Sequence, residues 1–419
     1  MAIGVVVDGY YTGRYYAKCF GAQNLKCVHV QSTKNVPQLL TSDLDAKDYL
    51  KTLIHSDLEQ TISEINQVGK PIIIVPGSDT GIILADKLAN FYKLNTANDV
   101  TISPARRDKF LMGEEVRNNG IRTIRQTKAK SASAAIKWIS KEKLRYPIVV
   151  KPLKSTAGEG FTLCKNEEDV EKSFALYLNK PDLFNHLNEE MLAQEYIQGP
   201  EYAVNCVSCN GYHKVSEICR YSKIITEEGH SLYLSIDFIP LNIPEANVLS
   251  NYLFKVLAAL KIKYGPSHTE IFLDENGPVL CEVGCRPMGP AASPTVFNEI
   301  YGHNQFDLSV IAYTHPEEFI SVTTNLTSSI KQHYSFAFMY NTKIGIFNKL
   351  NDAKIKRLPS FKTLEVCVES GTRIKKPRHV NDAICIVHLK HHDAQVIQAD
   401  IKQLRILERD DLVLEIYPD

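Results

Sequence analysis

The stretch HTEIFLDENGPVLCEVGCR, residues 268–286, restricts the possible folds of this chain more than any other. Two short apolar runs flank the turn-forming residues DENG (274–277), which predicts a β-hairpin. Glu270 lies in the first run and Glu282 in the second. If the turn centres on Asn276, the two glutamates are directly opposite each other. Like charges in opposed positions of an antiparallel pair repel, so the hairpin needs a group that offsets this repulsion.

A divalent cation between Glu270 and Glu282 would offset it. Opposed side chains of an antiparallel pair are ~4.5–5.5 Å apart at Cβ, which is close enough for two carboxylates to share one ion. Mg²⁺ prefers one or two carboxylates together with phosphate oxygens, and the pair therefore suggests a nucleotide site. Two alternatives stay open from spacing alone: a slipped register, or two acids that face solvent on the open side of the sheet.

The first 95 or so residues alternate between strands and helices. IGVVV (3–7) and PIIIVPGSDTGIILADKLANFYKL (71–94) each begin with an apolar strand that leads through a turn into a helix. This order predicts a small parallel α/β domain. The GxGxxG fingerprint does not follow the first strand, so a dinucleotide site is a weak alternative. From about residue 330 the chain is predicted to be β-rich, with a closing strand–helix–strand unit.

Two lysines are further candidates for a functional site. Lys109 falls in the first turns of a helix predicted to start at Ser103, its N-cap, and to end near Gly120. Lys151 ends the apolar strand IVVKP (148–152), where a buried lysine is costly unless it is paired. An exposed lysine on an edge strand is the alternative.

The loop that follows Lys151 is small, polar and glycine-bearing. A loop such as LKSTAGEG (153–160) can wrap phosphates with its backbone N–H groups. The residues concerned are Ser155, Thr156, Gly158 and Gly160. The loop is not a P-loop, because GxxxxGK[ST] does not occur in the chain.

Three further charged residues are candidates for contacts with a nucleotide. In QEYIQGPEYAVN (194–205), Glu195 and Glu201 flank a Gly-Pro turn, and they could meet an adenine amino group and ribose hydroxyls. Arg286, four residues after Glu282, could stabilise charge on a transferred phosphoryl group. The alternative for the two glutamates is that they are ordinary surface residues. The alternative for Arg286 is a surface salt bridge.

Composition bears on several classes of function. Lys and Arg together number 48, as do Asp and Glu, so the net charge gives no support for a nucleic-acid or membrane partner. No apolar run approaches the ~18–20 residues that span a bilayer, and the N-terminus lacks the pattern of a signal peptide. The ten cysteines form no disulfide framework, which favours reduced thiols and a cytoplasmic protein.

Taken in order, RRDKF, VVKP, the glycine-bearing loop, QEYIQGPEY, HTE and EVGCR resemble the ATP-grasp superfamily. The resemblance covers most of the chain and implies an α/β and α+β architecture in which two lobes grip ATP between β-sheets. It implies four parts. These are an N-terminal parallel α/β domain (1–95), a small ATP-grasp lobe with a linker helix (96–195), a large lobe with the metal and substrate site (196–315) and a β-rich C-terminal α+β domain (316–419).

The resemblance also implies roles for the residues near the nucleotide. Lysines would contact the ATP phosphates, the loop 154–160 would fold over the triphosphate, and residues around the Gly-Pro turn would meet adenine and ribose. The residues assigned to ATP are Lys109, Lys151, Ser155, Thr156, Gly158, Gly160, Glu195, Glu201 and, through their backbones, Tyr196 and Ile197.

Around the hairpin, the resemblance implies a metal and substrate site. Glu270 and Glu282 would hold Mg²⁺, for which Mn²⁺ could substitute, and Arg286 would face the reacting carboxyl phosphate. His268 has the same strand parity as Glu270 and would touch substrate, unless it is a hydrogen-bonded structural histidine. One departure concerns Gly284, because many ATP-grasp enzymes carry Asn there as a further metal ligand.

Within the superfamily, GPSHTEIFLDENGPVLCEVGCRPMG and the tail are most similar to the L-amino-acid ligases, which make dipeptides. The implied reaction joins a carboxylate to an amine through an acyl phosphate and releases ADP and phosphate. The alternatives are a ligase or carboxylase for a carboxylate that is not an amino acid, and a nucleotide-binding protein without turnover. The sequence does not identify the amino acids concerned. A homodimer is the default expectation.

Overall fold

The computed structural model describes residues 1–36, 44–155, 158–182, 185–289 and 293–418. They form two compact units, each built from three segments of the chain. The first contains Met1–Ile124, Tyr202–Ile218 and Pro240–Ser329, and the second contains Arg125–Glu201, Cys219–Ile239 and Ile330–Asp419. No helix within the described ranges is both long and apolar enough to cross a membrane.

The first unit begins with a four-stranded parallel sheet. Its strands are β1 (Ala2–Val7), β2 (Cys27–Gln31), β3 (Thr52–Ile54) and β4 (Lys70–Pro76), in the order β3-β2-β1-β4. Its helices are α1 (Tyr15–Gly21), α2 (Leu58–Val68) and α3 (Ile82–Phe91). Alternate residues of β1 serve opposite faces: Val5 and Val7 pack in one core with α2 and α3, whereas Val6 packs in another with α1. The predicted parallel α/β domain is confirmed.

Helix α4 (Lys109–Asn118) begins later than the sequence predicted. Ser103 is not its N-cap, because residues 100–106 form a separate 3₁₀ helix. Asp108 is the cap, and its carboxylate accepts hydrogen bonds from two backbone N–H groups of the first turn. The cap places Lys109 at the first residue of the helix.

The first unit also carries a hairpin and the strands beside it. These are β9 (Glu201–Cys209), the first part of β10 (Tyr212–Ile225), β12 (Gly265–Asp274) and β13 (Gly277–Gly284), in the order β13-β12-β9-β10. Asn210 and Gly211, both with positive φ, form the predicted tight turn between β9 and β10. The helices that follow are α7 (Pro244–Ala259), α8 (Pro294–Ile300), α9 (Gln305–Thr314) and α10 (Phe319–Thr324).

The second unit contains a four-stranded antiparallel sheet. Its strands are β5 (Gln126–Ala129), β6 (Ile148–Pro152), β7 (Thr162–Cys164) and β8 (Met191–Glu195), in the order β5-β8-β6-β7. Helices α5 (Ala132–Lys141) and α6 (Glu167–Tyr177) supply the apolar side chains that share a core with this sheet. Strand β6, which carries Lys151 near its end, is one of the two inner strands of this sheet.

The rest of the second unit is β-rich, as predicted for the C-terminal part. The second part of β10 is followed in the sheet by β11 (Ser231–Ile239), β14 (His333–Met339), β18 (Cys385–His391) and β16 (Phe361–Val366). A smaller sheet has β15 (Gly345–Leu350) between β17 (Arg373–Ile374) and β19 (Leu414–Tyr417). Helix α11 (Ala394–Arg409) packs its apolar side on β14 and β18.

Candidate active site

Glu270 and Glu282 are directly opposite each other in the β12–β13 hairpin, as predicted. The strand register that produces this pairing differs from the one that a turn centred on Asn276 would give. Asp274 pairs with Gly277, which leaves a two-residue turn and by itself would place Cys281 opposite Glu270. A register shift after Glu270 makes Cys281 the extra residue of a β-bulge, so that Glu282 takes the opposed position.

Lys109 gives the glutamate pair a positive neighbour. Its Nζ lies 2.7 Å from Glu282 Oε2, and both side chains are largely buried. The ammonium group offsets part of the repulsion between the two carboxylates. The carboxylate oxygens of Glu270 and Glu282 are the hard ligands that Mg²⁺ takes in proteins, so the donor set fits a magnesium ion.

Arg286 is held by Asp79, which lies in the short turn between β4 and α3. The guanidinium Nε and Nη2 lie 3.0 and 2.9 Å from Asp79 Oδ2. Burial raises the pKa of the Asp79 carboxyl, but the charges of Arg286, Arg107 and Lys109 outweigh it, and the net pKa is below the usual value. Asp79 is therefore ionised, and the ion pair fixes the orientation of the guanidinium.

Gly284 takes the position at which the resemblance leads one to expect asparagine. A Cβ atom there would lie 3.0 Å from Asp79 Oδ1 and 3.3 Å from Arg286 Cζ. Both distances are shorter than ordinary van der Waals contact, so a side chain at this position would press on the ends of Asp79 and Arg286. The absence of a side chain at residue 284 therefore leaves room for the Asp79–Arg286 ion pair.

His268 lies beside Glu270 on the same strand face, as its parity predicts. Its Nδ1 is 2.8 Å from Oδ1 of Asn205, and its Nε2 is 3.8 Å from Oε1 of Glu270. The side chain of His268 is 7% exposed. His268 is thus hydrogen-bonded within the protein, and its contact with substrate stays a prediction.

Lys151 lies in the interior of the sheet of the second unit. It is opposite Leu192 of β8, and its strand β6 is flanked by β8 and β7. The side chain is buried. The alternative of an exposed lysine on an edge strand is therefore wrong, and a buried ammonium group here needs anionic or hydrogen-bonding partners.

The loop after Lys151 has the backbone that its glycines predict. Gly158 and Gly160 have φ of +75° and +71°, in the left-handed region that glycine adopts without strain. A Cβ on Gly160 would lie 2.5 Å from Cδ of Pro152, so the loop returns closely onto the end of β6. Ser155 is buried. Thr156 lies outside the described residues.

Glu195 ends β8, and residues 196 and 197 continue from it. The Glu195 Oε2 atom is 2.7 Å from Nε of Arg125 in a partly exposed ion pair. Tyr196 is 36% exposed, whereas Ile197 is buried. The three residues follow one another along the chain. Their contacts with adenine stay predictions.

Glu201 is held by Lys223. Its two carboxylate oxygens are 2.7 and 2.8 Å from the ammonium group, which also lies 4.2 Å from the ring centroid of Tyr233. The carboxylate is buried, and the lysine neutralises it. A contact between Glu201 and ribose stays a prediction.

Sequence reasoning missed two residues of this site. Asp79 had a weak signal, because GSDTG follows a buried parallel strand, and ligands of open α/β sheets bind at the carboxyl ends of strands. Asn205 had no signal, because it is one polar residue in the strand EYAVNCVSC, and its contact with His268 joins residues 63 positions apart.

Comparisons with known proteins identify the family of this chain. Residues 144–295 match the ATP-grasp domain family. The chain is 30% identical over 318 residues to dapdiamide A synthase from Enterobacter agglomerans, which covers 75% of this chain and 74% of that protein. The chain belongs to the ATP-grasp superfamily. It is an ATP-grasp enzyme of the carboxylate–amine ligase type.

Solved structures show that the ATP-grasp fold extends over the whole chain. An L-amino acid ligase from Bacillus licheniformis superposes with a TM-score of 0.72 at 18% identity, covering 100% of this chain and 98% of that one. The biotin carboxylase domain of a 2-oxoglutarate carboxylase from Hydrogenobacter thermophilus, a dimer in complex with MgADP, ADP and bicarbonate, gives a TM-score of 0.62 at 14% identity, covering 99% and 90%. The predicted fold class is confirmed.

Proposed function

We propose that this ATP-grasp enzyme joins two amino acids into a dipeptide. The carboxylate of one amino acid attacks the γ-phosphorus of ATP, forming an acyl phosphate and releasing ADP. The amine of the second amino acid then attacks the acyl carbon, the bond from that carbon to the phosphate oxygen breaks, and phosphate leaves. The amine loses a proton as the peptide bond forms.

The observation that carries this proposal is the charge arrangement around the hairpin. Glu270 is opposite Glu282, Lys109 lies 2.7 Å from Glu282, and Arg286 projects from the end of the same hairpin in an ion pair with Asp79. Two acids that can hold a cation, next to two fixed positive groups, match the needs of a reaction between a carboxylate and a triphosphate, which repel each other.

Each residue of this hairpin region has a separate task in the proposed reaction. Glu270 and Glu282 would hold Mg²⁺, which supplies charge neutralisation to the phosphate oxygens. Lys109 would bind a phosphate oxygen next to Glu282. Arg286 would bind the phosphoryl group as it moves to the substrate carboxylate. Asp79 keeps the guanidinium plane fixed, so little reorganisation is needed when charge develops.

The residues of the second unit are proposed to bind the nucleotide. Lys151 would contact the phosphates from the end of β6, and the glycine loop would do so through Ser155 and the backbone at Gly158 and Gly160. The segment that begins at Glu195 would meet adenine, with Tyr196 and Ile197, and Glu201 would meet the ribose. A phosphate contact of Thr156 stays a prediction. Use of Mn²⁺ and a homodimer also stay predictions.

The name of one structural relative supports amino acids as the substrates. An L-amino acid ligase shares the fold over the whole chain, and dapdiamide A synthase is a relative at 30% identity. A biotin carboxylase domain in complex with bicarbonate has the same fold, so the fold alone does not identify the substrate. Substrate identity is therefore what an experiment must decide.

The test is a screen of all pairwise combinations of the common amino acids with ATP and Mg²⁺. We expect ADP release that depends on a particular pair, and a product whose mass equals the sum of the two amino acids minus one water. ADP release with bicarbonate or a non-amino-acid carboxylate, without dependence on an amino-acid pair, would contradict the proposal.

Variants of the charged residues test the site itself. We expect Arg286→Ala and Glu282→Ala to abolish product formation while circular dichroism shows a folded protein. Asp79→Asn keeps the size of the side chain but weakens the hold on Arg286, so we expect turnover to fall by about 10- to 100-fold. The matched control is Asp57→Asn, since asparagine also caps a helix at that position. Turnover close to wild type in Arg286→Ala would show that the site is wrongly assigned.

A further inference from the structure

Two helices supply hydrogen-bond acceptors to the outer edge of β13. Strand β13 is the last strand of its sheet and has β12 on one side, so part of its backbone N–H groups point away from the sheet. The hydroxyl of Tyr252 in α7 accepts a hydrogen bond from the N–H of Leu280 at 2.8 Å. The thioether sulfur of Met112 in α4 accepts one from the N–H of Val283 at 3.1 Å. Both of these side chains are buried.

The spacing of these two N–H groups depends on the β-bulge. In a regular strand, the N–H groups of successive residues point to opposite edges, so those of Leu280 and Val283, three residues apart, would point in opposite directions. Cys281 is the extra residue between them, and it gives both groups the same direction. The positions of Tyr252 and Met112 therefore match a strand that contains the bulge and do not match a regular strand.

Tyr252 also connects β13 to the turn of the hairpin. Its hydroxyl donates a hydrogen bond to the backbone carbonyl of Arg122 at 2.7 Å while it accepts from Leu280. The guanidinium of Arg122 donates to the two carboxylate oxygens of Asp274 at 2.9 and 2.6 Å, and to the carbonyl of Gly277 at 2.7 Å. Asp274 and Gly277 are the pair that closes the turn. The turn and the middle of β13 are thus both attached to one point of the chain.

The bulge determines the direction of the Glu282 side chain. With the same turn and no register shift, Cys281 would be opposite Glu270. Neighbouring side chains of a strand point to opposite faces, so Glu282 would then leave the face on which Glu270 lies. Helix α4 holds this segment twice, because Lys109 contacts the carboxylate of Glu282 at 2.7 Å and Met112 binds the backbone of the next residue.

We propose that Tyr252 and Met112 are positioning residues that stabilise the bulge at Cys281 and so keep Glu282 opposite Glu270. Each acts through a backbone N–H group of β13 and not on the metal or the nucleotide. The consequence for metal binding rests on the proposed function, whereas the stabilisation of the bulge does not.

The first test is hydrogen exchange at single backbone amides, measured by NMR on the protein without metal or nucleotide. We expect slow exchange of the Leu280 and Val283 amides in the wild type, although both lie on the outer edge of an edge strand. In Tyr252→Phe the Leu280 amide should exchange about tenfold faster, and in Met112→Leu the Val283 amide should do so. Fast exchange of both amides in the wild type, or unchanged rates in the variants, would overturn the proposal.

Metal affinity is a readout that a purely structural role would not change. The probe is Mn²⁺ in the presence of ADP, with free Mn²⁺ measured by electron paramagnetic resonance. In the Tyr252→Phe, Met112→Leu double variant we expect the Kd for Mn²⁺ to rise about 10- to 100-fold, the usual effect of losing groups that orient metal ligands. An affinity within about twofold of the wild type would refute the positioning role.

The matched control is Tyr301→Phe. Tyr301 is another buried tyrosine of the first unit, and its hydroxyl donates to the backbone carbonyl of Ile218 at 2.9 Å. We expect this variant to lose stability to urea as Tyr252→Phe does, because each loses a buried hydrogen bond, but to keep its Mn²⁺ affinity within about twofold. A loss of Mn²⁺ affinity equal to that of the double variant would mean that general loosening of the unit explains the effect, and the proposal would fail.

The outcomes distinguish this proposal from the proposed function. If the exchange rates change as expected but no amino-acid pair gives product, the proposed function fails and the stabilisation of the bulge stands. If an amino-acid pair gives product but the Leu280 and Val283 amides exchange at the same rates in the variants, the role of Tyr252 and Met112 fails and the proposed function stands.

Discussion

At the scale of single residues, burial and one hydrogen bond decide the charge of His29. Its Nε2 lies 3.2 Å from the backbone N of Gly9, so the ring must be neutral at Nε2 to accept that N–H. Burial lowers the pKa of His29 from 6.5 to about 4. Geometry and pKa therefore agree that this histidine is uncharged at neutral pH. Asp79 is buried as well, but the positive charges around it lower its pKa and keep it ionised.

This histidine gives a pH dependence with a definite sign. Because its pKa in the folded protein lies below 6.5, it contributes stability above pH 6.5 and loses it as the pH falls through about 4. The loss amounts to about 3 kcal/mol between those limits. His29→Gln can still accept the Gly9 N–H but does not titrate. We expect urea unfolding to show a smaller loss of stability between pH 7 and pH 4 in the variant. An identical pH dependence in both proteins would contradict the prediction.

At the scale of elements, a β-bulge and a helix N-cap determine the positions of two site residues. The β-bulge at Cys281 places Glu282 opposite Glu270, and the Asp108 cap starts α4 at Lys109. The bulge and the cap each involve only a few residues, and each determines the direction of a charged side chain. The bulge could not be read from the sequence, because the symmetric spacing of the glutamates suggested a different turn. The pairing was nevertheless predicted, since the bulge compensates for the shorter turn.

A pair of helix caps tests the role of α4. Asp108 and Asp57 are both N-cap residues whose carboxylates accept backbone hydrogen bonds, at the starts of α4 and α2. Removing either cap as Asp108→Ala or Asp57→Ala should cost about 1 kcal/mol of unfolding free energy. Only Asp108→Ala should also lower turnover, because it loosens the helix start that holds Lys109 against Glu282. Equal effects of the two variants on turnover would show that the cap does not position Lys109.

At the scale of the whole molecule, the division into two units bears on how the protein unfolds and on how a bound nucleotide would stabilise it. The ATP-grasp fold spans the chain, and the formal net charge is zero at pH 7. The structure divides into two units, each discontinuous in sequence, so unfolding need not be a single transition. The four-part domain division stays a prediction. A nucleotide that binds the folded protein and not the unfolded chain would stabilise it by an amount that rises with the logarithm of the nucleotide concentration above Kd.

Thermal unfolding measures that stabilisation without any need for the substrate. At MgATP concentrations of about 100 times Kd, we expect about 2.7 kcal/mol of added stability and a higher Tm. Removing the metal with a chelator, or exchanging both acids in the Glu270→Gln, Glu282→Gln double variant, should reduce the shift. Mg²⁺ alone and AMP serve as controls. A shift of the same size with the chelator present would mean that the two glutamates hold no metal needed for nucleotide binding.

The sequence by itself determined the features that depend on neighbouring residues. Strand and helix types, the Asn210-Gly211 turn and the hairpin follow from local propensity and periodicity. The order of motifs also predicted the ATP-grasp fold. These features are readable because their energies arise within a few residues of each other.

Only the tertiary structure decided which distant side chains meet. Asp79 and Arg286 are 207 positions apart, yet they form the ion pair that fills the space above Gly284. Asn205 meets His268 in the same way, across 63 positions. Such contacts produce no periodic pattern in the sequence, because each requires only one suitable residue in each of two segments. The path of the folded chain brings those segments together.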